Sequence, residues 1–241
     1  MARRKGILIQ ARLSSSRLPN KMLMRVGDVP LIEHVVRRCA VSKRADVIAV
    51  VTSTDSSDDP LYKFCLERGF AVYRGPLADV FERYVEAGNF FEIDLICRVC
   101  GDSPFVDVHQ IDNLFDYAIR HDEYDYISMK KSIDGFISEV FRADLLKCLN
   151  NEELSKEDRE HVTLYVRDNP HRFNLHLIDM GMTDLTGKIS LTIDTIEDFQ
   201  VCNRVAGYLA RAGKLDKFDF NTSDVIDIIK GFKVFERGLH A

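Results

Sequence analysis

No run of apolar residues in this 241-residue sequence approaches the ~18 needed for a membrane-crossing helix, so no helical membrane span is expected. The opening, MARRKGILIQAR, has an apolar stretch only from Gly6 to Ala11. That is too short for the core of a secretory signal, and no small-residue cleavage site follows it. Neither of two common phosphate-binding loops, GxxxxGK[ST] or GxGxxG, is present. There is no excess of positive charge: 33 Lys and Arg face 38 Asp and Glu, a net of -5, which argues against bulk nucleic-acid binding. Internal repeats, low-complexity segments and flexible linkers are lacking too. The six cysteines are scattered through a chain too large to need covalent staples, so reduced thiols and a cytoplasmic setting are expected. Cys97 and Cys100 match C-x-x-C, but no second pair or nearby histidine completes a zinc set. On a strand, residues three apart face opposite ways, so these two read as packing residues. His34, His109, His121, His171 and His176 show no metal spacing.

What is present reads as a soluble globular protein, 46% hydrophobic and 29% charged, with the length of one large α/β domain or one domain with a small appendage. Apolar runs at 5–11, 45–52, 70–75, 94–100 and 125–129 predict strands. Amphipathic stretches at 30–40, 58–69, 77–91 and 107–121 predict helices between them. Pro30 suits the first turn of one helix, and Asp58 or Asp59 the N-cap of the next. This rhythm implies a mostly parallel sheet with helices on both faces, and active loops at the carboxyl edge of the strands. It breaks after about residue 130. Asp134-Gly135 predicts a turn, 143–151 a short helix, and 155–169 one helix capped by Ser155 and ended before Pro170. RFNLHLIDM and KISLTID alternate as strands do, and helices are predicted at 195–212 and 222–238. The second half reads as an extension of the same sheet.

The loop after the first strand, QARLSSSRLPNKML, carries Arg12, Ser14, Ser15, Ser16, Arg17 and Lys21. Guanidinium forks match phosphate oxygens, lysine adds a point charge, and small serines let backbone N–H groups approach an anion. A solvated basic turn is the plain alternative. Three cations within ten residues, at the place where open α/β sheets bind ligands, favour a polyphosphate site. Such a site needs a counter-cation, usually Mg2+ held by one or two carboxylates. Asp102 in CGDSPF and Asp194 at the end of ISLTID both stand at strand ends; each alone could be a cap or turn residue.

In combination, these stretches resemble the cytidylyltransferases that activate acidic sugars, the CMP-octulosonate and CMP-sialate synthetases. The approximate pattern A-R-x-x-S-x-R-L-P-x-K is met by Ala11, Arg12, Ser15, Arg17, Leu18, Pro19 and Lys21. CGDSPFVD resembles that family's G-D-x-P segment, and LTIDTIEDFQ its late D-T-x-E-D block. RGPLADVFERY, SEVFRADLL and REHVTLYVRDNPHRF are similar to the spore coat polysaccharide cytidylyltransferases. Two positions depart from the pattern: Asn20 stands where many relatives have Gly, and Ile137 where the subgroup has an acidic residue.

The resemblance implies a Rossmann-like nucleotidyltransferase fold in three αβα layers. The whole chain, 1–241, would form one domain, with 130–180 as a small acceptor-binding or dimerisation extension. It further implies CTP as substrate, with Ala11, Arg12, Ser14, Ser15, Arg17 and Lys21 around the triphosphate and Asp102 and Asp194 holding Mg2+. Glu139, Arg159 and His161 would face a sugar or sugar-acid acceptor, with small molecules as partners and a homodimer as the possible assembly. Two rival readings stay open at this point. One is a nucleotide-sugar glycosyltransferase, although GDSP lacks the second Asp of a D-x-D. The other is a non-catalytic nucleotide-binding subunit.

Overall fold

The structure, a computed structural model, describes residues 3–181, 187 and 189–238. Strand β1 (Lys5–Gln10) leads through a two-residue-stranded hairpin, β2 (Arg25–Val26) and β3 (Val29–Pro30), into helix α1 (Leu31–Cys39). There follow β4 (Val47–Ser53), α2 (Asp59–Glu67), β5 (Ala71–Gly75), α3 (Val80–Phe90), β6 (Leu95–Cys100), α4 (Val108–Arg120) and β7 (Tyr126–Lys130). The second half supplies β8 (Glu139–Arg142), α5 (Ala143–Leu149), α6 (Lys156–His161), α7 (Leu164–Asp168), β9 (Leu175–Asp179), α8 (Ile196–Arg211) and α9 (Thr222–Gly238). The residues 239–241 of the expected single domain lie outside the described residues.

One seven-stranded sheet has the order β5-β4-β1-β6-β8-β7-β9. Its pairings are parallel except that β8 runs antiparallel to both β6 and β7. Successive side chains of β1 explain the layering. Ile7 and Ile9 join one apolar cluster with Val35 of α1, Phe115 of α4 and Val205 of α8. Leu8, between them, joins a second cluster with Phe81 and Tyr84 of α3 and Leu146 of α5. A strand buried on both faces reads as continuous apolar sequence, as GILI does. The chain is therefore a Rossmann-like α/β protein with helices on both faces of a mostly parallel sheet. Among the described residues no helix is long and apolar enough to cross a membrane.

Three local expectations need correction. Pro30 is the N-cap of α1 rather than a first-turn residue. The helix expected over 155–169 is two short helices, broken at Val162 with φ 55°. Ser155 does cap the first in a capping box with Asp158. The break buries Val162 and Val166 in the second apolar cluster and aims the Thr163 hydroxyl at Glu139, 3.0 Å away. KISLTID is not a sheet strand; Ser190 makes one isolated bridge with Asp134, and Lys188 lies outside the described residues. Its backbone bonds loops instead, Leu191 N to Asp134 O at 2.8 Å and Ile193 N to Asp102 O at 2.9 Å. Leu191 and Ile193 still alternate into the core, so the pattern looks like a strand. The turn at Gly135 is as expected, with φ 100° and a Cβ position 2.8 Å from the Leu191 backbone.

His34 of α1 is fully buried, its ring 4.9 Å from that of Phe218 and 5.9 Å from that of Phe105. Burial, with Arg38 close by, pushes its pKa down to about 3. The ring is neutral in the folded state but takes up a proton below ~6.5 when unfolded. The native protein therefore has its full stability above that pH and loses it as pH falls toward 3, by at most about 1.4 kcal/mol per pH unit from this residue. Thermal melts between pH 7.5 and 5 should show this loss, and His34→Leu should flatten it. An unchanged slope in the variant would contradict the assignment.

Candidate active site

The loop after β1 is anchored at both ends by core contacts. Ala11 N donates to Val51 O at 3.1 Å, and Leu13 is buried. Asp58, fully buried, accepts from Leu13 N at 2.7 Å and from the backbone N (3.3 Å) and hydroxyl of Ser53. Its side chain is thus the clasp of the loop, and makes no cap bond to α2. Asn20 adopts φ 60°, a conformation Asn tolerates, and turns the chain so that Lys21 points inward. At the next strand end, Gly101 N donates to Gln10 O at 2.8 Å, and a Cβ there would lie 3.0 Å from that oxygen. Glycine allows the two loops to touch.

That approach sets up the centre of the site. Lys21 Nζ donates to Asp102 Oδ2 at 2.9 Å, Asp194 Oδ1 at 3.0 Å and Ile193 O at 2.6 Å. An ammonium has three donors, so all are engaged. Asp194 is not a helix cap, since Thr195 caps α8 through Asp198; it is left to face the site. Arg17 reaches the same Asp194 oxygen at 3.1 Å, and Arg12 pairs with Glu160 at 3.1 Å. Every cation of the loop is held by a carboxylate.

Two cavities meet here. The first, 320 Å³, is lined by Arg12, Ser15, Ser16, Arg17, Lys21 and Glu160 among others. The second, 760 Å³, carries Ser128, Glu139, Arg167, Thr192 and an apolar wall of Ile137 and Leu177. Arg98, Cys100, Asp102, His161 and Asp194 line both. Arg98 is the shared floor: its Nη1 donates to Glu139 at 2.9 Å, and its Nε and Nη2 donate to Gln10 at 3.3 and 3.2 Å. Burial alone would depress its pKa, but Cys100, Glu139 and Tyr84 outweigh burial and raise it, so the charge is permanent. The Cys100 thiol is pushed up by burial, against the opposing pull of Arg98.

Of the residues expected at the site, Arg12, Ser15, Arg17, Lys21, Asp102, Asp194 and His161 line the first cavity, and Ala11 forms its wall. Ser14 is exposed and outside the lining. Glu139 borders the second cavity, yet both its oxygens are engaged, by Arg98, Tyr126 and Thr163. It is a buried brace rather than a free acceptor contact. Arg159 lines neither cavity: it pairs with Asp79 at 2.6 Å and Asn150 at 3.3 Å, tying α6 to the start of α3. Sequence reasoning missed Gln10, Arg98, Glu160 and Arg167. A charge inside the apolar run LICRVC was the one signal that could have revealed Arg98.

Comparison with known proteins shows the family of the chain. A family profile described as Cytidylyltransferase matches residues 6–220. The chain belongs to the cytidylyltransferase family. It is 30% identical over 227 residues to the spore coat polysaccharide biosynthesis protein SpsF of Bacillus subtilis, covering 92% of each chain. An uncharacterized protein of Methanocaldococcus jannaschii is 34% identical over 222 residues, 92% of this chain and 88% of that one. The solved structure of a cytidylyltransferase from Leptospira borgpetersenii superposes with a TM-score of 0.88 at 30% identity, covering 97% of this chain and 96% of that one. The protein is thus a CTP-dependent nucleotidyltransferase, which sets aside the glycosyltransferase and non-catalytic readings. In this cytidylyltransferase the Asp58 clasp should matter to both fold and substrate. Asp58→Ala leaves the Leu13 and Ser53 donors unpaired, at a cost of about 1–3 kcal/mol. Denaturant titration should show that loss together with a raised KM for CTP; unchanged stability would remove Asp58 from the loop's support.

Proposed function

We propose that the protein transfers CMP from CTP to an anionic sugar, a sugar acid or sugar phosphate, for surface glycan synthesis, with Mg2+ at Asp102 and Asp194. The observation that carries this reading is the convergence of two carboxylates and the loop cations where the two cavities meet. CTP enters the first cavity and the acceptor the second, so the α-phosphorus lies at the seam. An acceptor oxygen forms a bond to that phosphorus while the bond to the bridging oxygen breaks, and pyrophosphate leaves. His161, at the seam, takes the proton of an attacking hydroxyl. Arg12, Arg17 and Lys21 neutralise the charge that gathers on the leaving oxygens, with Ser15 as a hydrogen-bond donor beside them, which is most of what such a transfer requires.

The donor set suits Mg2+. Asp102 and Asp194 each give Lys21 one oxygen and keep another, and Mg2+ is usually held by one or two carboxylates plus phosphates and water. Among the described residues no group of three or more His, Cys, Asp or Glu side chains gathers to hold a metal by itself. Binding of the ion then depends on the nucleotide. Bound there, Mg2+ supplies charge neutralisation and orientation of phosphate oxygens.

The acceptor follows from the second cavity. Arg167 and Arg98 provide positive charge, Ser128 and Thr192 provide hydroxyls for a sugar, and Ile137 with Leu177 gives an apolar wall. The name of SpsF, a spore coat polysaccharide biosynthesis protein, agrees with a surface glycan as destination. The same reading assigns the protein to the cytoplasm, with small molecules rather than nucleic acid as partners. It takes 130–180 as the acceptor-binding segment and a homodimer through it as the assembly.

Pyrophosphate release from CTP and Mg2+, screened over sugar acids and sugar phosphates, tests the reading. Arg17, whose side chain is 65% exposed, gives the cleanest variant. Arg17→Ala should change stability by no more than about 0.5 kcal/mol. It should lower kcat/KM by about 10²-fold. Full activity in this variant would sink the triphosphate assignment.

A further inference from the structure

The charged side chains that line the second cavity fall into two kinds. Arg98 and Glu139 pair with each other at 2.9 Å, and Asp102 and Asp194 hold Lys21 at 2.9 and 3.0 Å. Asp134 and Arg167 line the same cavity, and both are exposed. Among the described residues neither side chain has a hydrogen bond or an ion pair, with each other or with anything else. One uncommitted carboxylate and one uncommitted guanidinium therefore stand apart in a single cavity.

Both are mounted on fixed backbone. The Asp134 carbonyl accepts from Leu191 N at 2.8 Å, and the turn after it is locked against Leu191, whose backbone lies 2.8 Å from the Cβ position of Gly135. Arg167 N donates to Thr163 O at 3.1 Å, between a buried Val166 and a Thr163 hydroxyl bonded to Glu139. The floor of the cavity is one row of the sheet register. Arg98 stands opposite Glu139, Glu139 opposite Ser128, and Ser128 opposite Leu177. Three interstrand spacings, about 14 Å, separate the ends of that row, room for a sugar ring and its substituents. Polarity falls along it, from the paired charges at the seam, through the Ser128 hydroxyl, to the exposed Leu177. The row itself offers an acceptor no free charge, so charge recognition is left to Asp134 and Arg167.

An acceptor that fills this cavity displaces water from both groups. A charge stripped of water without a partner is costly, so a neutral sugar would leave two such charges and a simple sugar acid one. We propose that the acceptor is dipolar, an anionic sugar that also carries a free, protonated amine, with its anionic group on Arg167 and its ammonium on Asp134. N-acetylation, or a hydroxyl in place of the amine, removes the positive charge and leaves Asp134 unmatched. A site built to pair with a polar group of its substrate rejects analogues that lack it. The amine only positions the sugar; the bond to phosphorus still forms through the acceptor oxygen at the seam. This rests on the cytidylyl-transfer reading above.

The test is pyrophosphate release from CTP and Mg2+ with two matched trios. One is glucosamine 6-phosphate, N-acetylglucosamine 6-phosphate and glucose 6-phosphate; the other is galactosaminuronate, its N-acetyl derivative and galacturonate. In at least one trio the free amine should have the highest kcat/KM, by about tenfold, the worth of one charge-assisted hydrogen bond. Which trio shows it tells a phosphate from a carboxylate on Arg167. Asp134→Asn should bring that ratio close to one. Arg167→Gln should raise the KM of the acceptor by about tenfold, and more than the KM of CTP. Both side chains are exposed and unbonded, so the melting midpoints of the variants should match wild type. Equal or higher kcat/KM for the N-acetyl or hydroxyl members in both trios overturns the proposal. So does an amine preference that survives Asp134→Asn, an unchanged acceptor KM in Arg167→Gln, or no release from either amine while calorimetry shows CTP bound. Failure to bind CTP would instead overturn the cytidylyl-transfer reading beneath it.

Discussion

The ammonium of Lys21, held between Asp102 and Asp194, is the contact on which the rest of the site depends. It joins residues 81 and 173 positions apart in the chain, and adds the Ile193 carbonyl as a third acceptor. Two carboxylates brought together without a cation would repel each other, and so would the three loop cations without counter-charges. Here each set neutralises the other: Lys21 and Arg17 on Asp194, Lys21 on Asp102, Arg12 on Glu160. The charges of the site are therefore balanced internally. A magnesium triphosphate carries both kinds of charge, anionic oxygens for the cations and a cation for the carboxylates. On the proposed reading it would exchange for the pairs that Lys21 and Arg17 make with Asp102 and Asp194, anion for carboxylate and metal for cation.

The sheet makes this exchange possible by fixing the seam. Arg98 and Glu139 are directly opposite each other in the antiparallel register of β6 and β8. Gln10, from the neighbouring β1, completes the set of acceptors around Arg98. An apolar residue at either position would leave the other charge buried and unpaired, which is among the more damaging changes a core can suffer. The reversed strand β8 thus brings the carboxylate that holds the fixed positive charge of Arg98, on β6, under the junction of the two cavities. Thr163 and Tyr126 close the network from above, and the break at Val162 brings Thr163 there. Support comes from rigid strands, while the exchangeable charges sit on loops.

How much of this was legible in the sequence follows from the range of the interactions involved. The layered α/β architecture and most elements through residue 130 could be read from local periodicity, since GILI and VIAVVT are buried by their own pattern. The loop cations, Asp102 and Asp194 were legible because their chemistry is concentrated in short stretches. What escaped was set by distant partners. KISLTID alternates like a strand, but its hydrogen bonds go to loops at Asp102 and Asp134. The helix over 155–169 breaks to serve Glu139, which lies 24 residues from Thr163. Arg159, Glu139 and Asp58 are polar residues whose side chains brace the site, and residue type does not distinguish a brace from a ligand contact.

On the proposed reading, Asp102 and Asp194 release Lys21 when a nucleotide brings its metal. Titration of Mn2+ against the protein, followed by electron paramagnetic resonance with and without CTP, tests it most directly. Binding to the protein alone should be weak. With CTP present, one ion per chain should bind tightly, and Asp102→Asn and Asp194→Asn should each lose it. Tight binding that persists with both carboxylates replaced would contradict it.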